Sequence, residues 1–329
     1  MKVAKKVLSI VLVVLIVIAL LFVCISVGEK IVFAKFFSKA EKEFKIPGLF
    51  TGYTPQGFDY LEDEKTFLLT GYDKDKVSPS MVYRVDEETE KAERVLLYNK
   101  DGSNYTSHVG GICHDNEWAY IAHGSGVDMF KLSDILDDDG KASVVDRISF
   151  EALELDVAFC NVYNGVLIVG EFYIAEDYET PQNHRMETPA GDKNTAIMAT
   201  YTLGADGKPV SSTPDAIFSI RGMVQGMCLV DNGRIALSTS YGLAKSRTYI
   251  YDTKKVSEQN NGSVTVNGIS APLYYLDSSC LDEQIVSSPM AEEIVYKDGK
   301  LFILTESAGM KYIFGKILSG NYVYSYKLK

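Results

Sequence analysis

Cysteine is scarce in this chain, and the few residues present are not spaced for chemistry. There are five in 329 residues, no two form a Cys-x-x-Cys pair, and one, Cys24, lies in an apolar amino-terminal run. The remaining four, Cys113, Cys160, Cys228 and Cys280, are too sparse to staple an exported domain of this size, so a disulfide scaffold is excluded. No Gly-rich phosphate loop and no Gly-x-Ser-x-Gly elbow occurs, so neither a nucleotide cradle nor a serine-hydrolase nucleophile is announced. Positive charge is short as well. The 33 basic residues face 44 acidic ones; without Lys2, Lys5, Lys6, Lys30 and Glu29 of the first 30 residues, 29 face 43. A domain so acidic repels phosphate backbones, which excludes nucleic acid as a partner and favours divalent cations or cationic and neutral ligands. Disorder is not the explanation, because 46% hydrophobic and 11% aromatic residues supply a core.

One long apolar run is present. Residues 7 to 28 carry no charge, and such a length lets a helix cross a hydrocarbon layer of roughly 30 Å. Lys2, Lys5 and Lys6 precede it, so the positive-inside bias places the tip in the cytoplasm and everything after Glu29 outside. The run predicts an uncleaved single-pass anchor at the cell membrane with an extracytoplasmic carboxy-terminal domain. The alternative is a signal peptide; the run exceeds a usual h-region, and no small-x-small site clearly follows.

After the anchor the sequence repeats itself. PQGFDYL from 55, VGGICHD from 109, VAFCNVY from 157, VQGMCLV from 224 and AEEIVYK from 291 each open a unit, and each is followed by a polar turn and a second apolar strand. Cys113, Cys160 and Cys228 share one register position, with Asp59 and Val295 completing the set, and read as small buried residues in a tight layer. Third strands rich in alternating aromatics follow at 81, 127, 196, 247 and 322, and fourth strands at ERVLLYN, ASVVDRISF, DAIFSI and PLYYLD. Meanders of four strands repeated in this way predict an all-β fold, a five-bladed β-propeller, preceded by one N-terminal transmembrane helix. The fifth unit ends at its third strand. A bare edge invites pairing with other chains, so the segment EFKIPGLF at 43–50 is expected to donate the missing strand and close the ring. A six-bladed ring is the alternative if the long third or fourth unit hides another blade. The domain reading is 1–30 anchor, 31–54 linker and ring-closing strand, and 55–329 propeller.

PQGF, HVGGI, VQGM followed by STSYG and SR, and AEEIVYKDGKLFILTESA followed by KY resemble a group of membrane-anchored bacterial β-propeller proteins, largely uncharacterised; more loosely the chain is similar to gluconolactonase and regucalcin-type propellers. The resemblance spans residues 50 to 329 and implies the fold, not a reaction. In such proteins the fifth motif reads Ala-Glu-Gly, where this chain has Glu293.

In a blade the first strand starts, and the second ends, at the same rim. Second-strand ends fall at Gly71, His123, Glu171, Ser240 and Glu306, and first-strand starts at Gln56, His108, Gln225 and Glu292. These residues are expected to meet at one mouth, joined by Tyr241 and Arg247 of SYGLAKSR as contacts for an anionic or ring-shaped ligand. Glu171, Glu292 and Glu306 offer hard oxygen ligands that suit Ca²⁺, whereas His108 and His123 would suit Zn²⁺. His114, in the opposite turn, stands apart from them. The 174–194 segment is too long for a structural turn and emerges at the mouth as a lid or partner-binding loop. Two functions follow: a ligand-binding or protein-interaction module at the cell envelope, with a small molecule or envelope protein as partner, or a metal-dependent hydrolase of a sugar, lactone or related ester.

Overall fold

The computed structural model describes residues 2–259 and 261–328, without the side chains of 2–4, 232 and 313. Helix α1 (Lys2–Val32) runs into a short α2 (Ala34–Phe37) and strand β1 (Ala40–Lys45). The repeat units then form antiparallel meanders. The first holds β2 (Tyr53–Leu61), β3 (Thr66–Asp73), β4 (Met81–Asp86) and β5 (Ala92–Tyr98), and the second β6 (Ile112–Asp115), β7 (Trp118–His123), β8 (Gly126–Lys131) and β9 (Lys141–Ser149). The third holds β10 (Val157–Tyr163), β11 (Val166–Glu171), a small hairpin of β12 (Met186–Glu187) and β13 (Lys193–Asn194), then β14 (Ala196–Thr202) and β15 (Ala216–Ile220). The fourth holds β16 (Val224–Val230), β17 (Arg234–Thr239) and β18 (Ser246–Tyr251); β19 (Ser263–Val266) and β20 (Ile269–Tyr275) intervene before its outer strand, β21 (Leu281–Ser287). The fifth holds β22 (Ala291–Lys297), β23 (Lys300–Thr305) and β24 (Tyr322–Lys327), with β1 added on its outer side.

The inner strands pack in sequence, β2 on β6, β6 on β10, β10 on β16, β16 on β22 and β22 back on β2, so the sheets close on themselves in an all-β, propeller-like ring. β1 pairs antiparallel with β24, Ala40 opposite Tyr326 and Lys45 opposite Tyr322, so the edge of β24 is not left bare. Two strand assignments differ from the sequence reading: the strand beside β24 is Ala40–Lys45 rather than 43–50, and the outer strand of the fourth sheet lies later in the chain. PLYYLD overlaps β20, which runs parallel to β15 with Ile217 opposite Leu273, and the outer strand of the fourth sheet is LDEQIVS. The apolar character of β20 comes from packing, as its Tyr274 stacks on Phe218 at 5.3 Å, while β21 is an outer strand whose charged Asp282 and Glu283 hide it from a hydrophobic pattern.

The ring centre explains the repeated glycines. Glu293, on β22, is buried, and its Oε2 accepts from the amides of Phe58 on β2 at 2.8 Å and Ile112 on β6 at 2.9 Å. One carboxyl thus ties three inner strands together. Neighbours must leave it room: a Cβ on Gly111 would sit 2.7 Å from Glu293 Oε1, and one on Gly226 would sit 2.5 Å from Glu293 Cα. Glycine is needed at both places for close approach, not for turning. Cys113, Cys160 and Cys228 are buried beside this plug as free thiols.

The apolar helix α1 is not loosely tethered. Glu29 is buried and accepts from Ser319 N at 3.0 Å, Ser319 Oγ at 2.9 Å and Ser288 Oγ at 2.7 Å. Phe33 and Phe36 fill the groove between the fourth and fifth sheets, where Phe36 stacks on Tyr326 at 5.7 Å. The 31–54 stretch therefore holds the end of α1, α2 and β1, packed against the ring for most of its length.

Candidate functional site

The starts of β2, β10, β16 and β22 and the ends of β3, β11, β17 and β23 surround a cavity of about 400 Å³. Gln56, His108, Gln225, Ser240, Tyr241 and Glu306, six of the expected residues, line it. Glu292 does not line the cavity; it is buried beside Glu306. Gln56 Nε2 donates to Glu306 Oε2 at 3.0 Å. Burial raises Glu306 to about 7 against the lowering influence of Lys311, Glu292 and Gln56. It raises Glu292 further, because the neighbouring Glu306 charge adds to burial. Two carboxyls in contact do not both ionise, so above pH 7 the pair is one carboxylate and one carboxylic acid.

Residues the sequence reading did not place complete the wall. Lys311 Nζ donates to the Tyr72 hydroxyl at 2.6 Å, and Tyr72 lies 4.2 Å from the His108 ring. Burial, reinforced by the Lys311 charge, lowers His108 to about 4, so it is a neutral ring at physiological pH. Tyr312, Tyr178 and Phe172 add aromatic faces. Met290, also in the wall, holds a left-handed φ of 65° at the step into β22, a conformation that costs on the order of 1 kcal/mol for a side-chain residue. The signals for these residues were in the motifs: Tyr72 adjoins Gly71 at a second-strand end, and Lys311–Tyr312 is the KY that follows the fifth motif.

The other expected residues stand elsewhere. His123 belongs to a separate knot in which Arg147 Nη1 and Tyr105 OH both bond Asp128, at 2.8 and 2.5 Å, with His123 Nδ1 3.4 Å from the same carboxylate. Arg247 reaches only the Lys245 carbonyl, at 3.4 Å. Glu171 lies buried below the 174–194 segment, with His184 Nδ1 at 2.9 Å and the Ile197 amide at 3.0 Å. That segment is therefore pinned from beneath, and its Asp177 accepts a hydrogen bond from Tyr241 on the cavity side. His114 pairs with Asp59 at 2.6 Å, at the far end of the inner strands.

These positions bear on metal binding. Glu171 is committed to His184, so the three carboxylates expected as a cation site are not gathered, and among the described residues no group of three or more His, Cys, Asp and Glu has metal-holding geometry. Glu292 and Glu306 favour their protonated forms beside the Lys311 ammonium. A hard dication needs ionised oxygens and no competing cation, and Lys311 stands beside Glu306, so the pair alone is a poor match for Ca²⁺. The arrangement suits exchange of hydrogen bonds with hydroxyl groups and stacking on ring faces.

No known protein family and no curated protein matches this chain. Among solved structures, similarity extends to the PQQ-bound aldose sugar dehydrogenase of Streptomyces coelicolor, with 14% identity, 81% of this chain and 78% of the other covered, and a TM-score of 0.41. It extends also to the glutaminyl cyclase of Myxococcus xanthus, with 11% identity, 88% and 95% covered and a TM-score of 0.39. A third match is the calcium-binding regucalcin of Agrobacterium tumefaciens, with 9% identity, 87% and 93% covered and a TM-score of 0.42.

Proposed function

We propose that this chain is a five-bladed β-propeller (residues 55–329), joined through 31–54 to a membrane anchor (1–30), and that it binds a neutral, hydroxylated ring such as a sugar on the extracytoplasmic side. The observation that carries the reading is the cavity of about 400 Å³ lined by the hydrogen-bonded Gln56 and Glu306 and by the aromatic rings of Tyr72, Tyr312, Phe172 and Tyr178. Its concavity and size favour a small molecule over a protein partner. Charge disfavours an anionic ligand, since above pH 7 the single carboxylate of the pair is offset by Lys311 and Asp156 also lines the wall. Aromatic faces stack on the C–H face of a sugar, while an amide and a carboxyl take its hydroxyls.

Hydrolysis of a glycoside finds less support. A glycosidase needs two carboxyls flanking the substrate, whereas Glu292 is buried and does not line the cavity. The metal-dependent form of the hydrolase lacks a fitting donor set.

The test is calorimetric titration of the detergent-solubilised full chain with neutral, acidic and amino sugars. A neutral sugar should bind best, and Tyr312→Ala or Gln56→Ala should weaken it roughly tenfold, the loss of one stacking face or one good hydrogen bond. Affinity should change as pH passes about 7, where Glu306 loses its proton, and Glu306→Gln should remove that change. Equal binding by the variants, or preference for a charged ligand, would sink the reading.

A further inference from the structure

The cavity mouth and the anchor lie on the same side of the ring. Glu29 bonds Ser288, in the step into β22, and Ser319, in the β23–β24 connection, and both connections belong to the rim where the cavity opens. From Glu29 the chain descends the outside of the ring: Phe36 reaches Tyr324 and Tyr326, and Ala40 pairs with Tyr326 near the far end of β24. The apolar run of α1, exposed from Val7 to Val27, therefore projects beyond the mouth rim, away from the body of the ring.

The same rim carries the exposed apolar side chains of the connections. Phe50 (71% exposed), Val77 (73%) and Leu243 (72%) stand at the tips of the β1–β2, β3–β4 and β17–β18 connections, with Met310 and Met223 beside them. Lys45 and Lys316 lie over the Phe50 ring at 5.3 and 4.2 Å, and Lys74, Lys76 and Lys245 are exposed on neighbouring connections. The far rim bears acidic turns, Glu62 to Glu64 and Asp137 to Asp139. The mouth rim carries carboxylates as well, among them Asp75, Glu151, Glu154 and Glu176, so what sets it apart is its cluster of exposed apolar tips with lysines beside them, not its net charge.

We infer that the mouth rim is a bilayer-docking face: when α1 spans the membrane, the tips around Phe50 and Leu243 enter the headgroup zone, and the cavity opens at the membrane surface. This rests on the anchor reading of α1. The occupant is the bilayer that α1 itself enters, because the buried Glu29 clamp joins helix and ring without a flexible spacer. Apolar tips ringed by lysines match the chemistry of an anionic lipid surface.

Full-length chain carrying Trp118→Phe, which removes the single native tryptophan, would be reconstituted in phosphatidylethanolamine–phosphatidylglycerol vesicles with acyl-brominated lipid as quencher. Phe50→Trp and Leu243→Trp report the mouth rim, Tyr163→Trp and Val210→Trp, also exposed, report the far rim, and Ile16→Trp reports the anchor. Probes at 50 and 243 should lose emission by about twofold, comparable to 16, consistent with side chains roughly 5–10 Å into the interface, while 163 and 210 keep theirs. Quenching at 16 without quenching at 50 and 243 overturns the docking and leaves the anchor standing. Equal quenching at both rims overturns the orientation. Absence of quenching at 16 overturns the anchor, and the docking with it.

Discussion

Glu293→Ala is expected to lower the melting temperature of the solubilised full chain by roughly 6–12 °C, the shift that about 3 kcal/mol produces in a domain of this size. The magnitude follows from what alanine removes. Two backbone amides, of Phe58 and Ile112, would lose their shared buried acceptor, and each buried orphan costs about 1–3 kcal/mol. A void would open at the point where three inner strands meet, adding a cavity cost. A scan of wild type against variant decides the matter: a shift below about 2 °C, less than 1 kcal/mol for such a domain, would mean that the strands are not tied through this carboxyl.

The same residue sets a pH dependence with a definite sign. Hydrogen bonds from two amides favour the ionised form, but burial outweighs them, and the Glu293 carboxyl stays protonated well above its ordinary value near 4.5. From that value upward the unfolded chain gives up the proton while the folded chain keeps it. The fold then binds more protons than the unfolded state, so stability falls as pH rises, by up to about 1.4 kcal/mol per unit for one such group. Glu293→Gln keeps an acceptor for the two amides and cannot ionise. Its stability relative to wild type should therefore improve steadily from pH 5 to pH 8, and a pH-independent difference would show that the carboxyl is ionised in the fold.

Much of the ring was legible because strand burial writes a period of two and turns write Gly, Asn and Asp. The units at 55, 109, 157, 224 and 291 open the inner strands, and the aromatic third strands match β4, β8, β14, β18 and β24 closely. Outer strands were harder. β21 has one face in water, so its sequence reads as polar, and the more apolar β20 took its place in the sequence reading. At the mouth, strand-end register found Gln56, Gln225, Ser240 and Glu306, because the backbone alone fixes where those positions lie. It could not foresee that His123 and Glu171 are drawn off by Asp128 and His184, since those partners, though only five and thirteen residues away, meet them only through the folded strand and loop paths. Glu293 shows the reverse case: a carboxylate where the related pattern has glycine looked like a break in close packing, and instead it sits at the centre of it, with the glycines of neighbouring strands making the room.

Breaking the Glu171–His184 pair should cost about 3–5 kcal/mol, the usual penalty when one member of a buried polar pair loses its partner. Both side chains are essentially inaccessible, and Glu171 also accepts the Ile197 amide, so Glu171→Ala leaves two donors unmatched. His184→Ala leaves the carboxyl, already raised by burial, without its ring partner. The damage should concentrate in residues 172–195, because His184 is the buried foot of that segment, and trypsin should then cut at Arg185 or Lys193 in either variant long before the sheets are attacked. The paired change Glu171→Met with His184→Leu fills the space with apolar atoms that need no partner, and should recover the loss due to the broken pair, leaving only the cost of the orphaned Ile197 amide, about 1–3 kcal/mol. Costs that simply add in the double variant would show that the two residues act independently. Ligand binding gives a second readout, since the segment carries Tyr178 into the cavity and Asp177 to Tyr241. A single variant that frees the segment should weaken the neutral-sugar interaction, and the apolar pair should restore it, because the segment acts on the cavity through its position and not through the charge of Glu171.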